Sequence, residues 1–278
     1  MGKLIGSIVT DCADDNARAR QELRFKSLFG VMPSFLGVSS YNSIEAAGNL
    51  VEQLDILTNF PLAKNAPDSV LLVNVAPRSG DIKKKWENGT PFCMFRTGRT
   101  LVASTYEGHC LALARDLGIT DSVELFDIPT VMKAAVEWGE LTKDEAKRIV
   151  NTQFRSLEFL PLVAYWAWQG RAVPSTTQPL NELPSASGQA WFIDNFGNVK
   201  TTLTEKNIKF EEGSEVTLAN GTTATCYRRL ADVPSGAVAL TIGSSGYGTD
   251  RFLEVVIGQT GRASERLGLT VGSPILGN

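Results

Sequence analysis

Three short, continuous apolar runs stand out in the first part of the chain: Leu4 to Thr10, Val70 to Val75 and Thr100 to Ser104. Runs of this length, bounded by polar or turn-forming residues, are the pattern of strands covered on both faces. Between them the apolar positions recur at helical spacing. From Ser43 to Leu57 they fall at Ile44, Ala47, Leu50, Val51 and Leu54, and Pro61 closes the region. A further helix is expected from Ala17, after the polar run Ala13-Asp14-Asp15-Asn16. Thr142-Lys143-Asp144-Glu145 is a capping box that opens a helix to about Val150, and Leu160 to Trp168 is an apolar helix suited to packing on a sheet. Strands alternating with helices predict a sandwich-like α/β domain with a central, mostly parallel sheet.

The pattern changes at Arg171 to Gly188, where Pro, Ser, Thr and Asn dominate and Pro174, Pro179 and Pro184 are spaced through the stretch. That composition predicts a linker or strap, and it separates an N-terminal α/β domain, residues 1–180, from a C-terminal domain, residues 189–278. Beyond it short strands alternate with turns. Asn220-Gly221, between Leu218 and Thr222, is a strong hairpin signal. The second domain is therefore expected to be mainly β, a small barrel.

Composition narrows the partners. A chain of 278 residues with 43% hydrophobic content buries a sizeable core without difficulty. Its net charge of −3 argues against a general nucleic-acid or anionic-membrane binder, whose affinity rests on a basic surface. Small molecules are the expected ligands. The four cysteines, Cys12, Cys93, Cys110 and Cys226, form no CxxC pair and no zinc spacing, so reduced thiols and no metal are expected. No apolar run approaches the roughly 20 residues of a membrane span. Met1-Gly2-Lys3 leads directly into a strand pattern, and the expectation is a cytoplasmic protein. The single histidine, His109, lacks a Ser nucleophile elbow. Lys83-Lys84-Lys85-Trp86 is expected to be a solvated charge run, with attraction of an anion as the other reading, and Gly243-Ser244-Ser245-Gly246-Tyr247-Gly248 lacks the order of a dinucleotide fingerprint.

Two stretches carry candidate chemistry. Asp11 ends the first strand pattern at a strand-to-helix turn, the place where open α/β sheets bind ligands. A carboxylate there accepts a hydrogen bond on each oxygen and suits two adjacent hydroxyls; the plainer reading is a helix cap. The other stretch is Phe192-Ile193-Asp194-Asn195-Phe196-Gly197-Asn198, a strand ending in turn residues. Asp194 and Asn198 can face one ligand together, or can simply cap their own turn.

The second stretch resembles the "IDxFGN" signature of the S-adenosylmethionine (SAM) hydroxide adenosyltransferases, the superfamily that includes fluorinases and chlorinases. Phe252-Leu253-Glu254-Val255-Val256, followed by Gly261-Arg262-Ala263-Ser264-Glu265-Arg266-Leu267-Gly268, resembles that family's "GYLEIAV…GNAAERLG" ending. Thr10-Asp11 is similar to its "TDFGxxD" motif, with Asn16 at the second Asp. The resemblance implies a larger α/β domain and a smaller β-barrel domain. It also implies that Asp11, with Asn16 nearby, meets the ribose hydroxyls, and that Asp194 and Asn198 meet the amino and carboxyl groups of methionine. By the same resemblance Phe196 lies against the ligand, the backbone of Arg262 and Ala263 meets the adenine edge, and Tyr247 or Thr249 contacts the methionine end.

The middle of the chain departs from the family. Ala76 stands at the Asp of "VVDPGVGTxxR", in Val73-Asn74-Val75-Ala76-Pro77-Arg78-Ser79-Gly80-Asp81, and Phe154 stands at the His of "TFHGRDxFAP". Lys200 stands where some halogenases have Trp. The usual water-activating set is thus missing, which leaves Arg78, Arg155 and Ser156 as the catalytic candidates. Halide-using relatives bind an anion through hydroxyl and backbone donors, a part for Ser156, Thr105, Tyr106 and Arg155. The activity the resemblance implies is nucleophilic substitution at the 5′ carbon of SAM, with hydrolysis to adenosine and methionine in first place. The alternatives are a SAM- or adenosine-binding protein without catalysis, and a relative that uses halide or another nucleophile in a reshaped pocket. SAM is substrate or ligand, and no cofactor is expected. Relatives form homotrimers with sites between chains, so a homotrimer is expected here too.

Overall fold

The computed structural model describes residues 3–59, 67–76, 90–259 and 261–277. The chain divides into two compact units, one of Met1–Ala46 and Ile56–Pro184, the other of Ala47–Asp55 and Ser185–Asn278.

The first unit opens with β1 (Leu4–Thr10), then α1 (Asp15–Phe29), β2 (Ser34–Gly37) and the start of α2 (Ser43–Thr58). β3 (Asp68–Asn74), β4 (Phe92–Thr97) and β5 (Thr100–Thr105) follow, then α3 (Ala112–Asp116), β6 (Ser122–Phe126), α4 (Ile128–Glu137) and α5 (Lys143–Val150). The short α6 (Arg155–Glu158), α7 (Leu160–Trp168) and β7 (Thr176–Pro179) complete it. Its seven strands are ordered β2-β1-β3-β5-β4-β6-β7. The first four are mutually parallel, and β4, β6 and β7 continue the sheet by antiparallel pairing. The sheet is therefore mixed, with the parallel part where the continuous apolar runs predicted it.

Helix α1 starts at Asp15 because Asp14, immediately before it, accepts from the backbone of Asn16 and Ala17. Its inward face is Ala17, Gln21, Phe25 and Phe29, spaced four apart. Phe29 stacks on Phe25 at 4.3 Å and meets Tyr165 and Trp168 of α7 edge-on or tilted at 5.6 and 5.7 Å. The box at Thr142 and Glu145 forms as the sequence predicted. The proline-rich stretch is not a free strap: Thr176–Pro179 is an edge strand on β6, and Arg115 holds the carbonyls of Leu180 and Leu183 at 3.1 and 2.7 Å. Proline is tolerated at such an edge because no neighbour there needs its missing N–H.

The second unit contains β8 (Ala190–Ile193), β9 (Val199–Thr204), β10 (Glu215–Thr217), β11 (Thr223–Tyr227), β12 (Val238–Tyr247), β13 (Asp250–Ile257) and α8 (Ala263–Leu267). The strands form a six-stranded sheet in the order β10-β11-β12-β13-β9-β8. Its two edges are tied by one C-terminal segment, which makes antiparallel bridges Gln189 to Pro274 and Leu218 to Leu276. The sheet thereby curls around a core of Val199, Leu203, Leu240, Leu253, Val255, Ala263 and Ile275. The Asn220-Gly221 turn joins β10 to β11 as expected.

The middle turns of α2 belong to this unit. Gly48 lies flat on Trp191, where a Cβ would come within 2.1 Å of the indole ring. Asp55 accepts from Gly248 N–H at 2.7 Å and from Arg251 at 2.8 Å. Among the described residues no helix is long and apolar enough to cross a membrane.

Candidate functional site

In the first unit the polar centre lies at the carboxyl ends of β1, β2 and β3. Asp11 is not a helix cap, since Asp14 fills that place. Both oxygens of Asp11 accept from Ala76 N–H at 3.1 Å, and Oδ2 also accepts from Tyr41 N–H at 3.1 Å. Three strand ends thus converge on one half-buried carboxylate. A carboxylate has about four acceptor positions, so its orientation is fixed by backbone while further donors still have a place.

The groups around Asp11 are kept neutral. The Cys12 thiol lies 3.8 Å from Oδ1, and burial, with the Asp11 charge adding, pushes its pKa up. Burial pushes Cys110 to about 12, again with Asp11 adding. Both thiols therefore stay protonated beside the carboxylate, and neither is an activated nucleophile. All four cysteines are free.

Of the remaining first-unit candidates, Thr105 and Ser156 both neighbour Asn74. Thr105 is buried and donates to Asn74 Oδ1 at 3.1 Å; Tyr106 is buried and donates to the Pro179 carbonyl at 3.0 Å. Asn16 is exposed in the first turn of α1. Ser156 is buried and lines, with Gln21 and Asn74, a small cavity of about 10 Å³, the size of one water. Arg155 is half-buried, and Phe154 beside it lies under the guanidinium of Arg20 at 5.2 Å. His109 Nδ1 lies 3.4 Å from Ser43 Oγ, which also accepts from the His109 backbone at 3.0 Å. Arg78, Asp81, Pro61 and the run Lys83 to Trp86 lie outside the described residues.

In the second unit the two sequence motifs meet. The Asp194 carboxylate accepts from the N–H of Phe196 and of Asn198, both at 2.9 Å, and from Asn198 Nδ2 at 3.0 Å. The turn therefore caps itself, and it fixes Asp194 and Asn198 as a pair. Gly197, at φ 80°, lets the turn lie on the other motif: a Cβ there would be 2.7 Å from Arg262 Cβ. Ser264 N–H donates to Gly197 O at 2.9 Å, and Arg262 Nη1 donates to Asn195 O at 2.9 Å. Phe196 is 72% exposed beside them, an unusual position for a large aromatic ring. Ala263 is fully buried, Tyr247 is half-buried and Thr249 is exposed.

Next to this turn is a charge cluster that sequence reasoning missed. Lys200 Nζ donates to Glu52 at 3.0 Å and to Ser245 Oγ at 2.6 Å, Ser245 donates to Glu52, and the ammonium sits 5.5 Å from the Trp191 ring centre. Glu254 faces Lys200 across the β9–β13 pair. Burial raises the Glu254 pKa; Lys200 opposes that, while Asp194 and Glu52 add to it. The signal for Glu254 was present, since a glutamate stands amid the apolar run Phe252 to Ile257. Glu52 lies on α2, far away in sequence.

Residues 188–276 match the SAM hydroxide adenosyltransferase C-terminal domain family. No curated protein matches the chain. Two solved structures share its fold along nearly the whole length. One is an uncharacterized conserved protein from Thermotoga maritima, with a TM-score of 0.67 and 16% identity, covering 98% of each chain. The other is a conserved hypothetical protein from Thermus thermophilus, with a TM-score of 0.61 and 19% identity, covering 99% of each chain.

Proposed function

We propose that this chain, which through residues 188–276 belongs to the SAM hydroxide adenosyltransferase superfamily, binds SAM and carries out nucleophilic substitution at its 5′ carbon. The observation that carries the reading is the Asp11 carboxylate, held by the backbone of Tyr41 and Ala76 at the strand ends. A carboxylate so fixed is ready to accept from the two hydroxyls of a ribose without reorganising. The self-capped Asp194–Asn198 pair is the place for the amino and carboxyl groups of methionine.

Substitution at this carbon requires a nucleophile held in line with the sulfonium, and the leaving group needs no acid. With water, the new C–O bond forms as the C–S bond breaks, methionine departs as a neutral thioether, and a proton passes to solvent. Adenosine is the other product. The test is to incubate purified protein with SAM and measure methionine and adenosine by mass spectrometry. Release above that of a heat-denatured control is expected, and its absence would remove the catalytic part of the reading.

A second reading, SAM or adenosine binding without turnover, is favoured by one observation. The position of the family's histidine holds Phe154, an apolar ring under Arg20. Calorimetric binding of SAM with no product would establish it. The same proposal includes a cytoplasmic homotrimer, and light scattering at micromolar concentration tests the assembly.

A further inference from the structure

We infer that the small cavity of the first unit is a built site for one water molecule, held by Gln21, Asn74 and Ser156, and that this water helps to fix the Asp11 carboxylate for its ligand. The second part rests on the reading of Asp11 as the carboxylate that receives a ribose. Ile8 of β1 and Leu72 of β3, which are register partners, line the cavity together with Asn74, and α1, α6 and α7 supply Gln21, Ser156, Leu160 and Pro161. Its volume, about 10 Å³, admits a single water. Apolar walls alone would leave such a space dry. Here three of the lining side chains are polar and more than nine-tenths buried: Gln21 is 4% exposed, Asn74 and Ser156 8% each.

Each of the three keeps one unused group. Gln21 Nε2 donates to the carbonyls of Cys12 and Ala17 at 2.9 and 3.2 Å, which leaves Oε1 as an acceptor. Asn74 Oδ1 accepts from Thr105 Oγ1 at 3.1 Å, which leaves Nδ2 as a donor. The Ser156 hydroxyl serves as either. None of these three groups bonds to another described residue. A buried polar group without a partner is costly, and one water satisfies all three by donating to Gln21, accepting from Asn74 and pairing with Ser156. Three is the usual number of bonds for a buried water. The site is tied to Asp11 from two sides. Asp11 N–H donates to the Asn74 carbonyl at 3.3 Å, and Gln21 holds the carbonyl of Cys12. The water therefore joins the two residues that hold the backbone at Asp11 and at the residue after it.

The experiment joins a crystal structure of the ligand-free full chain, fine enough to show ordered water, with NMR cross-relaxation from water to the Asn74 side-chain N–H protons. One water is expected within about 2.7–3.2 Å of Gln21 Oε1, Asn74 Nδ2 and Ser156 Oγ, with a cross-peak to match. Ser156→Val puts a methyl group into the space and should abolish the cross-peak. Its thermal midpoint should fall by a few degrees, because Gln21 and Asn74 lose their partner, and adenosine should bind at least about threefold more weakly by calorimetry. Ser156→Ala leaves the room and two of the three partners, so the cross-peak should remain and both losses should be smaller. A dry void predicts the reverse order, with Val filling it and raising the midpoint while Ala lowers it. That order, or a structure without water at the three groups, overturns the inference. If Ser156→Val loses the water and still binds adenosine like the original protein, the tie to Asp11 is overturned. If Asp11→Asn binds adenosine as tightly as the original, the ribose reading falls instead, and the density and the cross-peak alone decide the water site.

Discussion

Ala76 N–H lies 3.1 Å from both carboxylate oxygens of Asp11, although 65 residues separate the two in sequence. One residue therefore joins the end of β1 to the end of β3. Hydrogen bonds to a charged group contribute roughly 1.5–3 kcal/mol. Asp11→Ala is expected to weaken adenosine binding by tenfold or more, and to lower the thermal midpoint because two backbone donors lose their acceptor. Asp11→Asn keeps one carbonyl acceptor and should recover part of the stability but not the affinity. Equal affinity in all three proteins, measured by calorimetry, would remove Asp11 from the ligand site.

In the second unit, Asp194→Asn tests which half of the ligand sits at the self-capped turn. An amide oxygen retains the backbone bonds to Phe196 and Asn198, so the fold should survive. Loss of the negative charge should weaken SAM by about tenfold, the value of one charge-assisted contact, and leave adenosine within about twofold. Equal losses for both ligands would show that Asp194 does not meet the methionine end.

The pH dependence of stability should carry the mark of Glu254. Burial holds its folded pKa above the ordinary value of 4.5, so the folded protein binds a proton that the unfolded chain releases first. The stability this proton supplies is complete below about pH 4.5 and is lost as pH rises through the folded pKa. Glu254→Gln should flatten that decline, becoming relatively more stable than the original protein as pH rises through the window. Parallel urea midpoints for the two proteins across the range would dismiss the assignment.

A glycine is required where the two C-terminal motifs touch. Gly197→Ala must place a Cβ 2.7 Å from Arg262 Cβ at a φ of 80°, against both sterics and backbone preference. Overpacking and left-handed strain each cost about 1–2 kcal/mol, so a loss of roughly 2–4 kcal/mol is expected in chemical denaturation. A loss below about 0.5 kcal/mol would mean that the turn and the Arg262 segment separate easily.

The legible parts of the chain were those whose signal is local. Continuous apolar runs revealed β1, β3 and β5, and the Thr142 and Glu145 side chains announced α5 because a cap is built from neighbours. The edge strand Thr176–Pro179 was hidden, because proline and threonine at an edge have the composition of a linker. Around the candidate sites, Asp11 was visible as a carboxylate at a strand end. Tyr41 and Ala76 were not, since they act through backbone N–H groups that any residue carries. The Lys200, Glu52 and Ser245 cluster was equally hidden, being assembled from α2, β9 and β12 by packing alone.

Within that cluster the Lys200 and Glu52 side chains are 16% and 32% exposed, so solvent screens their pair only in part. Removing Lys200 leaves Glu52 without its cation and withdraws the one positive charge that opposes the burial of Glu254. Lys200→Met should therefore destabilise the protein near neutral pH by about 1–2 kcal/mol, more than an exposed pair would. It should also push the Glu254 titration further up. Glu52→Gln alone keeps a hydrogen bond to Ser245 and should cost less. In the double variant the two losses should fall short of additivity by about 1 kcal/mol, because the pair can be broken only once. Full additivity in the double-mutant cycle, or a Glu254 titration unmoved in Lys200→Met by NMR, would show that the ammonium does not hold this part of the second unit together.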